Sequence, residues 1–317
     1  MSNSLNAAPI PLPGARKTGR FAKMLRGWQL YLLLLPAVIW IILFCYAPMY
    51  GVQIAFKDYK VNLGITNSPW AGLKYFRQFV SLSNFPTLIQ NTLLISVYSI
   101  LFGFPAPIVL ALMLHQMKSK RYKSFIQTVT YAPYFISTVV LVSMLNIFLA
   151  PSTGFINNIL VSLGGKAITF TGDPKWFRTV YVVSGVWQGS GWGAIVYLAA
   201  LGSVDPALYE AATVDGATKF QRLIHIDLPC IVPTIVIMFI LNMGSLLNVG
   251  YEKAYLMQNS LNNQVSEIIS TYVYKIGLLN AKYSFSTAVG LFNSVINFAL
   301  VIGTNALSAK LTENSLW

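Results

Sequence analysis

Long apolar runs separated by short polar segments set the pattern of this chain. A helix needs about 20 residues, each rising ~1.5 Å, to cross roughly 30 Å of hydrocarbon. Six runs have that length, and they predict six spans at about 29–49, 89–116, 124–149, 179–201, 229–249 and 286–308. The predicted fold class is therefore all-α, a multi-pass transmembrane helix bundle whose membrane domain occupies residues 29–317.

Composition supports a membrane protein over a soluble one. Of the 317 residues, 55% are hydrophobic and 10% are charged, whereas a soluble domain carries about a quarter charged residues. The net charge of +13 could indicate nucleic acid, but many of the basic residues lie at the ends of apolar segments. Cytoplasmic flanks of membrane spans carry such an excess, so we expect lipid and no nucleic acid as a partner.

The basic residues also predict the orientation of the spans. Residues 1–28 contain several cations and no acid, and we interpret them as a disordered cytoplasmic tail. The short loop after the second span holds four more cations, Lys118, Lys120, Arg121 and Lys123. Basic short loops stay in the cytoplasm. With six crossings, both termini and the loop 202–228 are then cytoplasmic.

Polar residues and helix breakers interrupt several spans. The stretch "FGFPAP" puts Pro105 and Pro107 inside the second span, and such a break is tolerated only where protein or a water-filled cavity satisfies the freed carbonyls. Gly185, Gly189 and Gly193 recur every four residues in the fourth span, which lets another helix approach. Several amides and one tryptophan share helix faces and form our candidate substrate path: Gln188, Trp192, Asn242, Asn248, Asn293 and Asn297. Plain interhelical hydrogen bonding is the open alternative for these residues.

The loop 202–228 has the signals of two short helices joined by a turn. Asp205 followed by Pro206 predicts a helix start, because aspartate caps the first turn and proline suits the first helical position. Gly216 predicts its end, since glycine adopts the positive φ of a helix C-cap. The first half is small and acidic, and it lacks the basic residues and bulky anchors of an interfacial helix. We interpret it as a docking surface.

This loop resembles the EAA loop of membrane subunits of binding-protein-dependent ATP-binding-cassette importers. That pattern is Glu-Ala-Ala, a glycine six residues after the glutamate, and Ile-x-Leu-Pro ten residues further on. The residues that match it, without an insertion, are Glu210, Ala211, Ala212, Gly216, Ile226, Leu228 and Pro229. Two further stretches, "GYEKAYLMQN" and "TYVYKIGL", are similar to the branch that imports oligosaccharides and polysaccharide fragments, including uronate-containing chains.

The resemblance implies a mechanism and a set of partners. The loop would form a coupling helix in a groove of a separate ATPase, with Ala211, Ala212 and Gly216 in close packing and Glu210 paired with a basic residue of that subunit. Two ATPase subunits, which bind ATP and magnesium, a solute-binding protein outside the membrane and a second homologous permease would complete the importer in the bacterial inner membrane. An identical second permease stays possible. The expected cargo is an oligosaccharide or polysaccharide, and the positive charge favours an acidic one.

No signal of catalysis or metal binding occurs in the sequence. Gly164-Gly165-Lys166 lacks the spacing of a phosphate-binding GxxxxGK[ST] loop, so ATP hydrolysis is expected in a partner, with no cofactor in this chain. His115 and His225 lack a second ligand at metal spacing. Two alternatives remain: an ion-coupled secondary transporter, which usually buries an ionisable residue in a span, and a membrane-embedded hydrolase.

Overall fold

The computed structural model describes residues 28–312 and Ser315. The predicted disordered tail, apart from Trp28, lies outside the described residues. The described part of the chain is helical and contains no strand beyond one isolated antiparallel bridge between Lys57 and Trp70. The all-α expectation is therefore confirmed for these residues.

Sixteen α-helices follow one another along the described chain. They are α1 Trp28–Ile41, α2 Gly64–Asn67, α3 Lys74–Val80, α4 Phe85–Gly103, α5 Pro105–His115, α6 Lys120–Tyr131, α7 Thr138–Phe148, α8 Phe155–Ser162, α9 Pro174–Gly202, α10 Pro206–Val214, α11 Lys219–Arg222, α12 Leu228–Met243, α13 Tyr251–Met257, α14 Asn263–Ser266, α15 Ile269–Tyr274 and α16 Tyr283–Thr312. Short 3₁₀ or π-helical turns extend α1, α6, α11 and α15 at their C-terminal ends.

The chain divides into two compact units at Gln53. The first unit contains α1 and most of the turns that follow it. The second unit, from Ile54 onward, contains all the other helices.

Four helical stretches in the described residues are long and apolar enough to cross a membrane: Trp28–Phe56, Phe85–His115, Lys219–Met243 and Tyr283–Lys310. Two bent helix pairs raise the number to as many as six if each pair is one span. The pair Lys120–Phe135 and Thr138–Phe148 bends by 101°, within the predicted third span. The pair formed by α9 and α10 bends by 72°, so α10 leaves the direction of the fourth span.

The predicted fifth span differs from the helix at its C-terminal end. Helix α12 ends at Met243, short of residue 249, and tight turns follow: the Ser245 amide donates to the Asn242 carbonyl and the Asn248 amide to the Ser245 carbonyl. Asn297 of α16 accepts a hydrogen bond from the Leu247 amide at 3.1 Å. A side chain from another helix thus accepts the hydrogen bond of a backbone amide that lies beyond the end of α12, as a buried amide requires.

Helix α9 is the central element of the second unit and packs against α4, α5, α6 and α12. Near its N-terminus, Phe177, Tyr181 and Val182 join one buried apolar cluster. Toward its C-terminus, Ala194, Tyr197 and Leu201 join another, with Ala111, Leu112 and Ile231. A third cluster around Phe79 and Phe285 joins α3, α4, α15 and α16. A cavity lies along the stretch of α9 between these two clusters.

The glycines of α9 have different neighbours. A Cβ built on Gly191 would lie 2.0 Å from the carbonyl oxygen of Thr130, so the backbone of α6 touches α9 at this glycine. A Cβ on Gly193 would lie 3.0 Å from the Pro107 ring, whereas Gly189 has open space around it. The close helix approach expected from the four-residue stripe therefore occurs at Gly193 and, outside the stripe, at Gly191.

The contact at Gly191 yields a prediction about stability. Gly191→Ala should lower the free energy of unfolding by about 1–3 kcal/mol, because a backbone carbonyl cannot move aside as a side chain does. The matched variant Gly189→Ala should be neutral or stabilise by up to about 1 kcal/mol, since alanine favours a helix over glycine. Thermal unfolding of the detergent-purified chain measures both, and equal melting temperatures for the two variants would contradict this packing.

Candidate functional site: coupling loop and polar cavity

The first helix of the loop begins as its sequence predicts. The Asp205 side chain accepts a hydrogen bond from the Ala207 amide at 2.9 Å, and Pro206 occupies the first helical position. The cap satisfies an amide that has no partner within the helix. The predicted N-terminus of α10 is therefore confirmed.

The end of α10 is a complete Schellman motif built on Gly216. Its φ is +72°, the Ala217 amide donates to the Ala212 carbonyl at 2.8 Å, and the Gly216 amide donates to the Thr213 carbonyl at 3.2 Å. A side chain at this φ is strained. The glycine six residues after Glu210 thus stops the helix and turns the chain, as expected.

A second short helix then returns the chain to the bundle. Thr218 and Gln221 form a capping box at the start of α11, and the Arg222 guanidinium contacts the Thr213 hydroxyl at 3.4 Å. A π-helical turn over Leu223–Asp227 leads into α12. Leu223 and Leu228 pack against the cluster of Ala111 and Ile231 and so attach the loop to the bundle.

The seven motif residues separate into an outer and an inner group. Glu210, Ala211, Gly216 and Pro229 are exposed, while Ala212, Ile226 and Leu228 are half-buried. The outer group leaves a small-residue surface with one carboxylate open to a partner. The inner group holds the loop in place.

Sequence reasoning missed one residue of this region. Asp227, the variable position within Ile-x-Leu-Pro, is fully buried, and it accepts hydrogen bonds from Gln116 and Tyr209. An aspartate between isoleucine and leucine at the start of a span was the available signal, because a carboxylate is buried only when it is paired or hydrogen-bonded.

A cavity of about 530 Å³, with polar groups set in a mainly apolar wall, lies along α9; its wall is formed by α4, α5, α9, α12, the segment that leads into α13, and α13. Hydroxyl groups of Ser96, Ser99, Ser190 and Ser245 line it, together with Tyr181 and Tyr197. Gly103, Phe104 and Pro107 also belong to the wall, so the interruption between α4 and α5 faces open space. This location agrees with the expectation that a proline break in a span faces protein or a cavity.

The structure brings together three of the six predicted path residues. Gln188, Asn242 and Asn248 line the cavity. The Gln188 side chain donates to the Ile136 carbonyl at 2.8 Å, and that of Asn242 to the Met238 carbonyl at 2.7 Å. Each amide therefore keeps its carbonyl oxygen for a further donor.

The other three predicted residues lie away from this cavity wall. Trp192 is stacked on Tyr134, with ring centroids 4.6 Å apart, and remains 44% exposed. Asn293 and Asn297 of α16 are buried and contact the backbone of Leu247. Both contacts join α16 to the turn that follows α12, so these two amides hydrogen-bond protein backbone and do not line the cavity.

Lys253 of α13 is the one charged side chain on the cavity wall in the described chain. It is 9% exposed, its Nζ donates to the Tyr181 carbonyl at 2.8 Å, and it lies 4.6 Å from the centre of the Tyr181 ring. Burial lowers the pKa of this ammonium, which lies outside the candidate spans, to about 8. Among the described residues it forms no ion pair, so its positive charge is available to an anion.

Possible metal ligands do not cluster in this structure: no group of three or more histidine, cysteine or acidic side chains occurs in residues 28–312 and Ser315.

Several membrane-length helices, an exposed loop of two short helices and a cavity between the helices are typical of a membrane transport subunit. The family of binding-protein-dependent transport system inner membrane components matches residues 103–313. The chain belongs to this family, and it is a transport subunit rather than an enzyme.

Relatives and a solved structure agree over nearly the whole chain. Protein LplB of Bacillus subtilis is 44% identical over 98% of this chain and 97% of its own length. The polygalacturonan/rhamnogalacturonan transport system permease protein YteP of the same organism is 41% identical over 93% and 92%. A chain of a bacterial ABC transporter involved in the import of the acidic polysaccharide alginate superposes with a TM-score of 0.84, at 42% identity, over 92% of this chain and 99% of that one.

The Schellman turn generates a prediction about the coupling loop. Gly216→Ala should cost about 1–2 kcal/mol at this positive φ and open the turn, so amides 215–217 should exchange hydrogen roughly tenfold faster. Gly202→Ala is the matched control, because its φ is ordinary and nothing lies within 4 Å of the added Cβ. Hydrogen exchange read by mass spectrometry measures both, and unchanged exchange in Gly216→Ala would contradict the strain.

Proposed function

We propose that this chain is the permease subunit of an ATP-driven importer that carries an acidic oligosaccharide or polysaccharide across the bacterial inner membrane. The observation that carries the proposal is the geometry of α10: a short capped helix, bent 72° from α9, that presents Glu210 and Ala211 on an exposed surface. In the proposed arrangement six spans cross the membrane, and both termini and this loop are cytoplasmic.

The partners follow from this arrangement. Two ATPase subunits, which would bind ATP and magnesium, receive the coupling helices of this chain and of a second homologous permease. A solute-binding protein delivers the cargo from outside, as the family description implies. Closure of the ATPases on ATP would move the coupling helices and switch the bundle between inward-open and outward-open states. Cargo would pass through the cavity along α9.

The cavity wall supports an acidic carbohydrate as the cargo. Hydroxyl and amide groups can bond the hydroxyls of a sugar, and Lys253 adds the one positive charge that the described residues place on the wall. A carboxylate that enters this site meets a desolvated ammonium, which strengthens the attraction between the two charges. The similar chain from a transporter of the acidic polysaccharide alginate and the polygalacturonan/rhamnogalacturonan permease support this class of cargo.

Docking to an ATPase is tested at Glu210. Glu210→Lys should reduce co-purification of the cognate ATPase with the importer at least about tenfold, because a like-charge contact at an interface costs several kcal/mol. Glu252→Lys, a charge reversal at an exposed residue of α13, is the matched control and should co-purify as the wild type does. Retained ATPase and undiminished uptake in Glu210→Lys would count against the coupling role.

Recognition of the anion is tested at Lys253. With a pKa of about 8, this lysine is charged below pH 8 and loses its proton as the pH rises. Uptake of a labelled alginate oligosaccharide should fall about tenfold between pH 7 and pH 9, since the carboxylates of the cargo stay ionised over this range.

Three variants complete this test in proteoliposomes. Lys253→Met should show the low uptake at every pH, Lys253→Arg should keep uptake at pH 9 because arginine stays charged, and Lys282→Met should behave as the wild type. The same fall with pH for a neutral oligosaccharide, or full uptake by Lys253→Met, would refute the role of the charge.

A further inference from the structure

Asp227 lies at the centre of a buried network on the side of the coupling loop that faces the bundle. Its side chain has no exposed surface. Oδ2 accepts a hydrogen bond from the Gln116 amide at 2.6 Å, and Oδ1 accepts one from the Tyr209 hydroxyl at 2.5 Å. His115 Nε2 lies 3.2 Å from the same hydroxyl and 3.9 Å from Oδ1.

The contacts determine the direction of each hydrogen bond. A carboxylate only accepts, so the single hydroxyl proton of Tyr209 points to Asp227. The phenolic oxygen is then left as an acceptor, and a proton on His115 Nε2 supplies its donor. The resulting chain runs from His115 to Tyr209 to Asp227, with Gln116 donating to the second carboxylate oxygen.

This network joins three segments that are distant in sequence. His115 and Gln116 end the helix pair that starts at Phe85, Tyr209 lies in the middle of α10, and Asp227 opens α12. A carboxylate with no access to water cannot exchange these donors for solvent at low cost. The three segments therefore stay together as long as the charge is buried.

We propose that Asp227 locks the coupling helix to the inner ends of the second and fifth spans, so that they move as one body when an ATPase pulls on α10. This inference rests on the proposed coupling function. It makes Asp227, Tyr209 and Gln116 positioning residues: they transmit displacement without touching ATP or cargo. Without the lock, α10 would follow the ATPase while the bundle lagged behind.

A distance measurement in the assembled importer tests the lock without cargo. Spin labels at Lys118→Cys and Ala207→Cys, both exposed, report the separation of the second span from α10, in a chain with Cys45 and Cys230 replaced by serine. The wild-type background should give the same narrow distribution with and without ATP. Asp227→Asn should broaden it or shift it when ATP binds, because an amide in place of the carboxylate leaves only neutral hydrogen bonds, which are about half as strong as those to a charged group.

A paired substitution separates the lock from general stability. In Asp227→Asn combined with Gln116→Glu, the amide and the carboxylate exchange places, so the charge returns to the pair and its charge-assisted hydrogen bond can form again with donor and acceptor exchanged. Asp227→Asn alone should lower the alginate oligosaccharide carried per ATP hydrolysed about fivefold or more, and the double variant should restore both this ratio and the narrow distribution. Glu252→Gln and Tyr122→Phe are the controls for loss of an exposed carboxylate or phenol.

The outcomes are distinguishable from failure of the proposed function. An ATPase that never binds the wild-type chain would refute that function, whereas the lock is tested with the ATPase bound. An unchanged distribution in Asp227→Asn, or failure of Gln116→Glu to restore it, would overturn the lock. If Asp227→Asn does not assemble, Tyr209→Phe decides in its place, because it removes the two hydrogen bonds of the hydroxyl and keeps the buried charge. Wild-type behaviour of that variant would overturn the proposal.

Discussion

Every polar group inside an apolar bundle needs a partner within the protein or a wet cavity, and this requirement shapes the whole structure. At three places where a helix breaks, an amide side chain from another element reaches the freed backbone. Gln188 bonds the Ile136 carbonyl at the bend between α6 and α7, and Asn297 bonds the Leu247 amide beyond α12. Asn91 bonds two carbonyls near α14. The broken spans keep their shape because these bonds replace the missing helical ones.

The same requirement explains what sequence reasoning could and could not foresee. The cap at Asp205 and the turn at Gly216 depend on residues within one helical turn, so the sequence was enough to predict them. The amides Asn293 and Asn297 share a helix face, which indicated a path but did not reveal that their partner is the backbone of Leu247. Contacts between residues some fifty positions apart are set by tertiary packing, which no local pattern contains.

Gly191 and Lys253 were missed for a related reason. The four-residue stripe drew attention to Gly185, Gly189 and Gly193, yet the tightest backbone contact is at Gly191, where α6 crosses α9. Lys253 lies in a seven-residue helix outside the predicted spans, and only the fold carries it to the cavity wall. Both positions depend on where a second element passes. The long, uniform spans were predictable, whereas their crossing points were not.

The coupling loop joins two carboxylates with opposite environments. Glu210 is exposed next to the exposed Ala211, so its carboxylate keeps its hydration until a partner replaces it. Asp227 is buried and bonded on both oxygens within the chain. A helix that transmits a displacement needs one side free to bind the moving partner and another side fixed to the bundle. If its attachment to the bundle is loose, the helix moves and the bundle does not. In the proposed coupling role, exposed Glu210 gives α10 its free side, and the buried hydrogen bond from Tyr209 of the same helix to Asp227 fixes its other side to the bundle.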